Sequence, residues 1–282
     1  MDRKMGYHNV LVSPQWLHDN LMSSKIVIVD CRYSLSDFSL GRKMYNAGHI
    51  PGAYFMDLED DLSGPKGTHG GRHPIPDPSV FAGKMSAMGI SRGTHVIAYD
   101  AEGAASCRLC WLLRYFGHDN VSILQGGFDE WVSLDLPVTN VQPPFRHGDF
   151  VPVPRADMVV GRDEIIESGS SMTLVDCRAP ERYRGEVEPI DRKAGHIPGA
   201  INLFYREVFS GNSAFKTPEE LTKVLGNLDS KSVLYCGSGV TAAAVCVAMG
   251  MIGMEPRIYA GSWSDWASYE DSPIATVKGS EQ

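Results

Sequence analysis

Short apolar runs and longer stretches of helical periodicity alternate along the chain. Residues 25–29, 95–99, 122–124, 172–175, 232–235 and 257–259 have the length and β-branched or aromatic content of strands. Helices are expected over 77–88, 105–116, 217–226 and 241–251. Thr217-Pro218-Glu219-Glu220 reads as a helix start, with Thr as N-cap, Pro at the first helical position and acids in the first turn. Buried strands separated by helices predict an α/β fold built on parallel sheet with helices on both faces.

The pattern runs twice. Val29-Asp30-Cys31-Arg32 recurs as Val175-Asp176-Cys177-Arg178, and Gly48-His49-Ile50-Pro51-Gly52-Ala53 as Gly195-His196-Ile197-Pro198-Gly199-Ala200. The strand ending at Tyr99 aligns with the strand ending at Tyr235, and Gly126 to Trp131 with Gly261 to Trp266. Matches in one order at nearly constant separation describe a duplicated domain; the repeat is far too long for a solenoid unit. The expected architecture is therefore two domains, 10–138 and 157–278, each a parallel β-sheet flanked by helices. Residues 139–156 contain Pro143-Pro144 and Val151-Pro152-Val153-Pro154 and read as an extended linker, long enough to wrap one domain. A length of 282 residues suits two domains of ordinary size.

Charge narrows the function. A net charge of −8 without a long basic run argues against nucleic acid and anionic membrane as partners. The first ten residues lack the apolar core of a secretory leader, and the longest apolar run, 242–254, is too short to span a bilayer. Six cysteines without a close-set framework suggest reduced thiols and a cytoplasmic setting. Cys107-Arg108-Leu109-Cys110 has Cys-x-x-Cys spacing, but its Arg-Leu interior and the following Trp-Leu-Leu fit a packed helix better than a redox or zinc site. No residue pattern calls for a metal or an organic cofactor.

Cys236 carries the candidate chemistry. It ends an apolar strand and precedes Gly237-Ser238-Gly239-Val240-Thr241, after which a helix begins. Such a loop can place a thiolate in a cup of the N–H groups of residues 237–241 at a helix N-terminus, where negative charge on sulfur is stabilised. Gly237 and Gly239 allow positive φ, and the Thr241 hydroxyl could cap the helix or bond the sulfur. The bland alternative is a buried structural cysteine. Aligning Tyr99 with Tyr235 puts Asp100 opposite Cys236, so the first copy has no thiol to react and is expected to be silent. A cysteine phosphatase would need an arginine as the sixth residue after the nucleophile, where this chain has Ala242.

These motifs together resemble the tandem rhodanese sulfurtransferases, over nearly the whole chain. The neutral Cys-Gly-Ser-Gly-Val-Thr loop is most similar to the branch that uses 3-mercaptopyruvate; thiosulfate-using members carry basic residues in this loop. The resemblance implies a Cys236 persulfide, a small-molecule sulfur donor, and a thiol, cyanide or thioredoxin-like acceptor. It implies donor binding by Arg182, in Glu181-Arg182-Tyr183-Arg184-Gly185, and by a second arginine shortly before the Gly-His-Ile-Pro-Gly run, for which Arg192 is the nearest candidate and Arg184 a further one. It also implies a relay of Ser238 with His73, partnered by Asp57 or Glu59, with the catalytic site lying where the two domains meet. Thiosulfate as donor and a non-catalytic binding module are the alternatives.

Overall fold

A computed structural model describes residue 7 and residues 10–34, 36–169, 171–211 and 213–277. Lys278, the last residue of the expected second domain, and most of the first nine residues, on which the leader argument rests, lie outside these. The chain folds as two α/β units whose membership follows contacts rather than chain order.

The first unit comprises the chain through Gly64 together with Ile75–Ala156 and Phe209–Lys216. Its elements are β1 (Leu11–Val12), α1 (Pro14–Asp19), β2 (Ile26–Asp30), α2 (Leu40–Ala47), β3 (Ala53–Phe55), α3 (Pro78–Ala87), β4 (His95–Tyr99), α4 (Ala104–Tyr115), β5 (Val121–Leu124) and α5 (Gly127–Ser133). The sheet runs β1-β5-β4-β2-β3, with every pairing parallel. Every residue of β2 and β5 is buried, as the apolar runs require of a sheet covered on both faces.

The second unit comprises Pro65–Pro74, Asp157–Val208 and the chain from Thr217 onward. It contains α6 (Arg162–Ser168), β6 (Leu174–Asp176), α7 (Pro180–Arg184), β7 (Ile201–Asn202), α8 (Pro218–Leu225), β8 (Val233–Tyr235), α9 (Thr241–Met251), β9 (Arg257–Ile258) and α10 (Ser262–Trp266). The sheet runs β7-β6-β8-β9, again parallel throughout. Thr217 and Glu220 form the reciprocal capping box that starts α8, an arrangement worth about 1 kcal/mol.

The repeated motifs make one buried network in each unit. Arg32 holds the Asp30 carboxylate and the Gly48 carbonyl through Nη2, both at 2.6 Å. Arg178 holds Asp176 and the Gly195 carbonyl with the same lengths. The Tyr99 hydroxyl donates to Asp30 at 2.7 Å and accepts the Ile50 N–H; the Tyr235 hydroxyl likewise accepts the Ile197 N–H at 3.1 Å. His49 and His196 bond the carbonyls of Tyr45 and Tyr183 through Nδ1. Asp-Cys-Arg and Gly-His-Ile-Pro-Gly are thus a strand-end clamp, present in both copies because both sheets need it.

Residues 139–156 are tied to the first unit along much of their length. Thr139 exchanges backbone bonds with His49, Gly148 donates to Ser86, and Val153 and Arg155 donate to Phe116 and Tyr115.

The first unit's counterpart of the cysteine loop is closed by its own carboxylate. Asp100 accepts N–H bonds from Gly103, Ala105 and Ser106. Phe209 and Ser213, from the segment that joins this unit, lie against Gly103 and Gly127. Burial pushes the Asp100 carboxyl up to about 6, against the downward pull of those three amides. The folded protein therefore keeps a proton that the unfolded chain releases near its ordinary value of 3.8. Native protein binds more protons across that window, so stability falls as pH rises through it. Relative to an Asp100→Asn variant, the protein should lose on the order of 2–3 kcal/mol of unfolding free energy between about pH 4 and pH 7. Urea denaturation across that range checks this; a flat difference would contradict it.

Candidate active site

β8 ends at Tyr235, pinned by the clamp, so Cys236 leaves the sheet at a fixed point. Its backbone N–H donates to Ser262 Oγ at 3.1 Å, and its carbonyl accepts from Trp263 at 3.0 Å. The next carbonyl, of Gly237, accepts from Ser264 at 2.9 Å. The cysteine loop is therefore laced to the start of α10 over two successive residues. The Gly239 N–H donates to Cys236 Sγ at 3.1 Å, and the residue is 1% exposed. The sulfur lies deep, against a main-chain donor, directly before an eleven-residue helix.

The loop departs from the sequence reading in two details. Gly239 has φ +77° and a Cβ there would overlap the Ala260 carbonyl oxygen, so glycine is required on both counts. Gly237 does not adopt the left-handed conformation expected of it. Its absent Cβ instead leaves room for two guanidinium groups: a Cβ would lie 3.0 Å from Arg72 Nη2 and 3.5 Å from Arg182 Nη1. Thr241 does not cap the helix: the cap is Val240, which has no side chain that could do so, and Thr241 is the first helical residue.

The segment 65–74 reaches this loop as part of the second unit. Gly70 N–H donates to Asp265 Oδ1 at 2.7 Å and Arg72 N–H to Ser264 Oγ at 3.0 Å. His69 stacks on Tyr269, with ring centroids 3.8 Å apart. So anchored, the buried His73 places Nδ1 at 2.6 Å from the Ser238 Oγ. The sequence-expected serine and histidine thus come together beside Cys236, although they stand far apart in the chain. Asp57 belongs to the first unit, where its carboxylate accepts the Glu59 and Asp60 N–H groups at the start of a turn. Glu59 belongs to that unit too.

Arg182, on α7, sits in a lattice of ion pairs. Its Nε and Nη2 bind Glu188 at 3.1 and 2.6 Å, and Nη2 also reaches Asp191 at 3.2 Å. Asp191 pairs with Arg72 Nη1, and Glu188 also with Arg178 Nη1 at 3.2 Å. Burial pushes Asp191 up, with Arg72 pulling back only part of the way. Burial also raises Glu188, but hydrogen bonds from Arg182 and from the Asp191 and Ile190 amides outweigh it, so its carboxyl rests below the usual range. Arg192 is exposed, and Arg184 pairs locally with Glu186. Sequence reading missed Arg72, Glu188 and Asp191; the one available signal was the position of Arg72 immediately before His73.

The other cysteines are packing groups. All six are buried thiols, and both members of the Cys-x-x-Cys pair lie inside α4. Cys177 is adjacent to Cys236 across the sheet, yet burial first, then the charges at Cys236 and Asp176, push its thiol well up, leaving it protonated and unreactive.

The two parallel-sheet α/β units are copies of one fold, one ending its central strand in a loop cysteine and the other in a carboxylate. The chain belongs to the rhodanese family: the Rhodanese-like domain matches residues 13–134 and 163–269, and the protein is a rhodanese-type sulfurtransferase. It is 40% identical over 278 residues to a Pseudomonas aeruginosa protein named "Probable 3-mercaptopyruvate sulfurtransferase", covering 94% of this chain and 98% of that one. It is 30% identical to the thiosulfate sulfurtransferase of Rattus norvegicus, covering 92% of each. The crystal structure of SseA from Escherichia coli, described as showing the rhodanese fold of 3-mercaptopyruvate sulfotransferases, superposes with a TM-score of 0.79 at 30% identity, covering 90% of this chain and 98% of that one. Among the described residues no helix is long and apolar enough to cross a membrane.

The contrast between the loop glycines is measurable. Gly239→Ala should cost at least about 1–2 kcal/mol, because an L-residue is forced into the left-handed region against a backbone oxygen. Gly237→Ala keeps an ordinary φ and meets the ends of two guanidinium groups rather than backbone, so it should cost less than Gly239→Ala. Urea denaturation of the two variants checks the ordering.

Proposed function

We propose that the chain moves sulfane sulfur from 3-mercaptopyruvate to a thiol, cyanide or thioredoxin-like acceptor through a persulfide on Cys236. The observation that carries this reading is the Cys236 sulfur held against the Gly239 amide, with the Ser238–His73 pair two residues along the loop from Cys236. The Cys236 thiolate attacks the donor sulfur. The carbon–sulfur bond breaks, its electron pair leaves as the enolate of pyruvate, and Cys236 keeps the transferred atom as a persulfide. The proton released by the cysteine passes to the Ser238–His73 pair and returns to the enolate carbon. An acceptor thiolate then takes the outer sulfur and regenerates the Cys236 thiolate. Asp57 is the proposed acidic partner of this relay, with Glu59 as the alternative; Gly237, Gly239, Val240 and Thr241 frame the bound persulfide, and Arg182 binds the donor. No metal or organic cofactor enters these steps. The expected domain boundaries of 10–138 and 157–278 define a silent half and a catalytic half, and six buried thiols support a reducing, cytoplasmic setting.

Thiosulfate is the second reading, favoured by the two guanidinium groups beside Gly237, which would suit a compact dianion. Comparing kcat/KM for the two donors decides between them.

Mass spectrometry after exposure to 3-mercaptopyruvate should find one added sulfur atom on Cys236 and none in Cys236→Ser. Intact, folded protein that gains no sulfur would overturn the proposal. His73→Ala should lower kcat by roughly 10²- to 10⁴-fold, the usual worth of a positioned proton carrier. Stopped-flow measurement of pyruvate release checks this.

A further inference from the structure

We propose that Arg72 is a donor-binding residue that grips, together with Arg182, the carboxylate and carbonyl end of an α-keto acid over Gly237. This rests on the keto-acid reading of the donor above.

Two forked cations converge on one backbone atom next to the reactive cysteine. Arg72 Nη2 and Arg182 Nη1 both lie within 3.5 Å of the place where a Gly237 Cβ would be. Gly237 does not need glycine for its backbone angles, so the space its missing side chain leaves is the feature to explain. Arg72 pairs with Asp191 through Nη1, which leaves Nη2 directed at the loop. Its side chain is 26% exposed, while Asp191 beneath it is 6% exposed. Arg182 is likewise held from behind by Glu188 and Asp191. The two cations are therefore fixed by buried acids on one side and present their remaining donors on the other. That is a planar, bidentate arrangement suited to a carboxylate or an adjacent ketone oxygen.

The backbone fixes the register. Ser264 Oγ accepts the Arg72 N–H, and the Ser264 N–H donates to the Gly237 carbonyl, so residue 72 is locked beside residue 237 through one serine. The following residue, His73, meets the following loop residue, Ser238. Consecutive residues of one segment thus supply a cation and a proton carrier to consecutive residues of the loop. When the carbon–sulfur bond breaks, negative charge moves onto the ketone oxygen, and a guanidinium there would stabilise it as it forms.

The test compares 3-mercaptopyruvate with its uncharged methyl ester in the parent, Arg72→Ala and Arg72→Lys, and measures pyruvate affinity by calorimetry in each on a Cys236→Ser background. Arg72→Ala should lose roughly 10- to 100-fold in kcat/KM for the acid, the loss expected for one charge-assisted contact, with the ester nearly unchanged and pyruvate affinity reduced in parallel. Arg72→Lys should recover part of the loss. If acid and ester fall together and pyruvate affinity holds, Arg72 is only a structural partner of Asp191 and the inference is overturned. If the parent protein fails to turn over mercaptopyruvate, the donor assignment falls instead, while weakened pyruvate binding in Arg72→Ala would still place Arg72 at a keto-acid subsite.

Discussion

The site depends on a buried ion pair at the end of the second sheet's central strands. Asp176 and Arg178 are both nearly inaccessible, and a lone charge in such a place would cost several kcal/mol. The pair is tolerable because the guanidinium is hydrogen-bonded at all three nitrogens: Nε and Nη2 serve the Asp176 oxygens, Nη2 also serves the Gly195 carbonyl, and Nη1 serves Glu188. The Trp263 ring covers the guanidinium, with its centroid 4.6 Å away. Tyr235, the residue before Cys236, is bound into this cluster, and burial with the Asp176 charge pushes its hydroxyl well up, so it stays a neutral donor. Through Glu188 the same cluster orients Arg182, and through Asp191 it reaches Arg72. One alternating chain of acids and bases therefore fixes both the point where sulfur leaves the sheet and the cations beside it.

The two copies show what that scaffold does not decide. Asp30, Arg32 and Tyr99 reproduce the clamp almost bond for bond, yet the first copy ends in a carboxylate that consumes its own loop amides. The amide cup is a property of the fold, and its occupant is a property of one residue. In the first unit the anion is built in and fills the cup. In the second, the cysteine sulfur accepts the Gly239 N–H, and two ion-paired arginines stand beside Gly237.

Much of this was legible in sequence, for local reasons. Strand, cysteine, small loop and helix fall within a few consecutive residues, so the place of Cys236 between a strand and a helix could be read from the local pattern together with the repeat. The duplicated clamp was visible because its members recur in order. What escaped was whatever pairs across the chain. Arg72 meets Gly237 only because residues 65–74 pack on the second unit, and no periodicity encodes that approach. Arg192 drew attention by its nearness to Gly195-His196-Ile197, but the preceding turn leaves it exposed while Asp191 faces inward. β1, β3 and β7 are two or three residues long and carry too few side chains to show alternation.

The crossed membership of the units bears on how the molecule is assembled during synthesis. Residues 65–74 emerge from the ribosome long before the sheet they serve, and the first unit lacks Phe209–Lys216 until most of the second half has been made. An ordinary two-domain chain can finish its N-terminal domain while the rest is still being translated. Here the first unit receives its last segment only after most of the second half has been made, so its complete packing comes late in synthesis.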